Sequence, residues 1–73
     1  MDVIDRIQRI TQYLNGRGIE IRYEDLNGVP SGLCRVHGKL LLMVELTLPS
    51  TEQFHILEET ANRLKSSSSR SVA

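Results

Sequence analysis

The sequence predicts an α+β domain of order α-β-β-β-α, a three-stranded antiparallel sheet packed against two helices. Three observations carry this reading. A helical apolar stripe opens the chain, and a segment of period-two alternation follows it. A hairpin with a strongly apolar second strand then leads into another helical stripe. The hairpin, Gly32 to Leu46 (GLCRVHGKLLLMVEL), is what the rest must pack around, because Leu40 to Val44 is the densest apolar run in the chain.

Taken in order, Asp2 is placed to cap a first helix with Val3, Ile7, Ile10 and Leu14 on one stripe and Ile4 beside it. Asn15-Gly16 should close that helix, since both residues tolerate the left-handed conformation. Ile19 to Glu24 alternates apolar and charged residues, which predicts a half-buried strand with Ile19, Ile21 and Tyr23 facing inward. A loop of turn formers, Asp25 to Ser31, precedes the hairpin.

In the hairpin, His37-Gly38 forms the two-residue turn, which pairs Val36 with Lys39. Alternation then puts Cys34, Val36, Leu41 and Met43 on one sheet face. Leu33, Arg35, Leu40, Leu42, Val44 and Leu46 fall on the other. Both faces are largely apolar, the pattern of a strand covered on both sides. Ser50 and Gln53 read as a capping box, after which Phe54, Leu57, Ala61 and Leu64 line the stripe of a second helix. Residues 66–73 (SSSSRSVA) lack apolar periodicity and are expected to be a disordered tail, leaving residues 1–65 as the single domain.

Size limits what such a domain can do alone. A chain of 73 residues buries about 60% of its unfolded surface and draws roughly 3–5 kcal/mol from its own core. One cysteine excludes an intramolecular disulfide, and Cys34, His37 and His55 are too few ligands for a structural zinc, so neither metal nor cofactor is expected. Association with a second chain is the remaining source of stability. Nine basic and nine acidic residues balance, which argues against a dedicated nucleic-acid binder; only Arg17, Arg22, Arg35 and Lys39 favour one. The amino terminus lacks the apolar core of a signal peptide, and no apolar run is long enough for a bilayer. With a free thiol, the expectation is a cytoplasmic protein without membrane contact.

Few residues suggest chemistry. Cys34 is the candidate reactive thiol, and nucleophilic work would need a thiolate stabilised by a neighbouring cation. Arg35 points to the opposite face, and a mid-strand cysteine is more simply a small buried apolar residue. His37 suits a turn and His55 the solvent side of the second helix, while Glu24 and Asp25 read as strand-end and turn residues. Asn15-Gly16-Arg17-Gly18 precedes a strand, whereas a phosphate-binding loop leads into a helix. With no catalytic set, the sequence points to a non-catalytic protein that self-associates, as a homodimer, or binds a protein partner through an apolar sheet face. Leu33, Leu40, Leu42 and Val44 are the expected interface. The competing expectation is a thiol enzyme or redox sensor centred on Cys34.

Two resemblances accompany these residues. Gly32-Leu33-Cys34-Arg35, the Gly38-Lys39 turn and the aliphatic run to Leu46 resemble short uncharacterised bacterial proteins, which implies no activity. The order helix, strand, hairpin, helix is also similar to the N-terminal part of ImmA/IrrE-type zinc metallopeptidases, whose His-Glu-x-x-His motif follows a Phe. After Phe54 the matching stretch is Glu58-Glu59-Thr60-Ala61-Asn62, in which only Glu59 agrees. Glu58 and Asn62 stand where the zinc-binding histidines would be. That resemblance therefore implies a topology without a metal site.

Overall fold

In the computed structural model, which describes residues 2–72 and side chains as far as Lys65, the element order is the expected one. Helix α1 spans Val3–Gly16, strand β1 Ile19–Glu24, β2 Gly32–Val36, β3 Lys39–Glu45 and helix α2 Ser50–Val72. Asp2 caps α1, its carboxylate accepting from the Asp5 amide at 3.1 Å. Asn15 and Gly16 stay within the helix, and the positive φ that ends it falls at Gly18 (83°). His37 (52°) and Gly38 (79°) both take positive φ, the requirement of a two-residue turn whose twist matches the flanking strands. The resulting register pairs Val36 with Lys39, Cys34 with Leu41 and Leu33 with Leu42.

The sheet is mixed, which corrects the antiparallel expectation. Its order is β1-β3-β2: β3 lies between the other two, antiparallel to β2 and parallel to β1. The most apolar strand takes the centre because only there is it flanked on both edges and coverable from above. The loop after β1 therefore cannot be a hairpin turn. It crosses the end of β3 and returns down the far side.

Both helices lie on one face, α1 packed on β1 and α2 on β3. Beneath them Leu14, Ile19, Leu42, Val44, Leu57 and Ala61 form one buried cluster, with Leu42 and Val44 wholly inaccessible. Tyr23, at the end of β1, is the weakest of the three inward residues and remains partly exposed. At the start of α2 the capping box does not form. The Pro49 carbonyl accepts from the Glu52 and Gln53 amides, and the Gln53 side chain donates backwards to the Leu48 carbonyl at 3.1 Å. Thr60 is buried on the stripe, its hydroxyl donating to the Ile56 carbonyl. The backbone of α2 continues through Val72, beyond the expected end at Lys65; the side chains of 66–73, and with them the expected tail, lie outside the described residues.

Candidate interaction face and the strand crossing

The arrangement of the helices redistributes the expected interface. Leu42 and Val44 are inside the chain's own core and Leu40 is half-buried, so none of these three presents a free surface. This corrects their expected role, because the helices chose the face they occupy. Leu33 alone among the four stays open, at 44% exposure, because β2 stands outside the cover of both helices.

Among the described residues, no element covers the opposite face. Along β3 it carries Lys39, Leu41, Met43 and Glu45, and along β2 Gly32, Cys34 and Val36. Along β1 it carries Glu20, Arg22 and Glu24. Arg22 lies between the two glutamates, at 2.9 Å from Glu20 and 3.6 Å from Glu24. The hydrogen bond to Glu20 is the main cause of a guanidinium pKa raised still further above its usual value. The face thus grades from a charged stripe over β1 to an apolar field over β3 and β2. Where the field meets the crossing loop there is a cleft of about 410 Å³, lined by Leu26, Val29, Gly32, Leu33, Cys34 and Met43, among others. Val29 reaches into solvent at its rim.

Cys34 is exposed, which corrects its reading as a buried small residue. Its strand is an uncovered edge, so burial of the neighbouring strand did not extend to it. Arg35 projects to the other face, as expected from alternation, and the cross-strand neighbour of Cys34 is Leu41. The two histidines are both exposed. His37 forms the turn, and His55 stands 3.9 Å from Glu58 on the outside of α2. Glu59 is likewise outward and pairs with Arg63 at 3.4 Å, an exposed contact worth about 0.3–0.5 kcal/mol. Among the described residues no three His, Cys, Asp or Glu side chains gather as metal ligands would.

The four cations named from the sequence do not share a surface. Arg22 and Lys39 lie on the open face, Arg35 projects to the other, and Arg17 packs over the Tyr13 ring at 5.1 Å. Lys65 lies over the same ring at 5.5 Å. Arg6, Arg9 and Lys65 instead edge a shallow groove between the helices, with Ile10, Tyr13 and Phe54 in its floor. Among the described residues no helix is long and apolar enough to cross a membrane.

The residue that sequence reading missed is Glu45. Its carboxylate accepts from the Leu26 amide at 3.0 Å and from the amide and hydroxyl of Thr47 at 3.1 and 3.0 Å. Its own amide donates to the Ser31 hydroxyl at 2.9 Å. One side chain thereby ties the start of the crossing loop to the end of β3, while Ser31 ties the loop's far end. Within the loop, Asp25 accepts from Asn27, and Asn27 and Gly28 turn the chain with positive φ. A carboxylate closing an apolar strand was the available signal, but nothing local said which amides it would meet.

The hydrogen bonds to Glu45, that from Leu26 foremost, hold its carboxyl below the ordinary carboxylate range. A depressed native pKa means stability that is fully present above the unfolded pKa and is lost as pH falls through the native one. Glu45→Gln is therefore expected to melt below wild type at neutral pH, with the gap closing as pH falls beneath the usual carboxylate value of about 4.3. Thermal melts across that acid range check this; a gap independent of pH would mean that the carboxylate charge is not what holds the crossing.

No protein-family model, curated protein or solved structure matches the chain.

Proposed function

We propose that this chain is a protein-interaction module that self-associates through the side of its sheet that the helices leave open. One observation carries the reading. Both helices serve the Leu42–Val44 face, and Cys34, Val36, Leu41 and Met43 are left on a face with no element above it among the described residues. Apolar side chains presented together on a small domain are the usual mark of an interface. A chain of this size also gains proportionately more from association than a larger one, since its own core is thin. The proposed module is non-catalytic and acts by holding a second protein surface.

The test is sedimentation equilibrium from micromolar concentration upward, with wild type beside Met43→Lys. Met43 lies on the open side of the central strand, so a lysine there can reach water without entering the core. Wild type is expected to associate through this face, and the variant to weaken that contact at least tenfold with an unchanged circular dichroism spectrum. Wild type that stays monomeric throughout overturns the reading.

A further inference from the structure

We infer that the partner is a second copy of this chain, joined edge to edge through β2 in antiparallel register with the two-fold axis at Cys34. This goes beyond the proposed open-face contact to a second, separate one: Met43 lies on β3, off the β2 edge, so Met43→Lys is expected to leave the edge pairing intact. The two free edges of the sheet differ. The β1 edge is blunted by Glu20, Arg22 and Glu24 and lies under α1. The β2 edge carries Leu33, Cys34 and Val36 with a single charge, Arg35, and neither helix serves it as α1 serves β1 or α2 serves β3. Leu33 and Val36 are 44% and 43% exposed, on opposite faces of the strand. An uncovered apolar edge is a template for another strand.

The hairpin decides which groups that edge offers. A two-residue turn makes Val36–Lys39 a hydrogen-bonded pair, so bonded pairs recur at Cys34–Leu41 and Gly32–Met43. The backbone groups of Leu33 and Arg35 consequently point out of the sheet. Antiparallel pairing of β2 with itself must match these outward residues. Centred on Arg35, it would set two guanidinium groups side by side. Centred on Leu33, it would need Arg35 to pair with Ser31, which lies outside the strand. Centred on Cys34, each Leu33 exchanges backbone bonds with Arg35 of the other copy, and the like charges are separated.

The same register is complementary in shape. Val36 of one copy comes opposite Gly32 of the other, where the missing side chain leaves open space and the cleft beside Met43 begins. A valine on each copy thus fills a hollow on its mate. The outcome is one continuous sheet, β1-β3-β2-β2-β3-β1, with both helical layers on the same side.

Cys34 reports the geometry directly. At the axis the two cysteines form a non-hydrogen-bonded pair, with Cα atoms about 4.5 Å apart, inside the range a disulfide spans. With oxidised glutathione as oxidant, wild type is expected to convert to a covalent dimer at least tenfold faster than Gln12→Cys in a Cys34→Ser background, which sets the collisional rate from an exposed helix position. In that same background, a mixture of Leu33→Cys and Arg35→Cys chains is expected to cross-link to each other in preference to themselves. Association by sedimentation without either cross-link overturns the edge register and leaves the open-face reading standing. A protein that neither sediments as a dimer nor cross-links above the collisional rate overturns both.

Discussion

Leu42→Ala is expected to leave the chain largely unfolded at room temperature. Leu42 is fully buried at the middle of the central strand, paired with Ile21 on one side and Leu33 on the other. Truncating such a leucine costs about 2–5 kcal/mol, in lost transfer energy and in the cavity left behind. A domain of this size has roughly 3–5 kcal/mol to lose. The neighbours cannot collapse into the hole, because two of them are strand residues held in register and the others belong to helices anchored on both sides. A circular dichroism melt within a few degrees of wild type would mean that the core is centred elsewhere.

The second large effect is expected at Leu57→Ala, again about 2–5 kcal/mol, read as loss of a cooperative melt. Leu57 is fully buried and, with Ala61, is how α2 meets the strands and α1. Leu46→Ala is the same chemical change at a residue 56% exposed and should shift the melt by no more than a few degrees. Equal losses in the two variants would show that burial is not what fixes α2 on the sheet.

What the sequence disclosed follows from how far apart the deciding residues stand. The Asp2 cap, the His37-Gly38 turn and the Val36–Lys39 register are settled by neighbours within one turn of chain, and each formed as read. The two faces of the hairpin follow from that register alone. The direction of β1 does not, because period-two alternation is the same in parallel and antiparallel strands. Its placement beside β3 depends on Glu45 and Ser31 holding a loop that begins and ends on opposite sides of the sheet. The exposure of Cys34 was hidden for a related reason. Apolar patterning marks a residue as able to be buried, and two helices suffice for only two of three strands. Of the expected interface, Leu33 remains on an open surface and the core took Leu42 and Val44.

The crossing of the loop over β3 also bears on the order in which the chain assembles. β3 is made last of the three strands yet must lie between the other two, so the sheet cannot grow outward from β1. The β2–β3 hairpin closes over a two-residue turn and can form in about 1–10 µs. Joining Ile19 to Leu40 requires the whole intervening segment to be looped out first. The barrier to folding is then expected at the docking of α1 and β1 onto the hairpin. Substitutions in the crossing loop should act chiefly on how fast this protein folds, whereas those under α2 decide how long it stays folded.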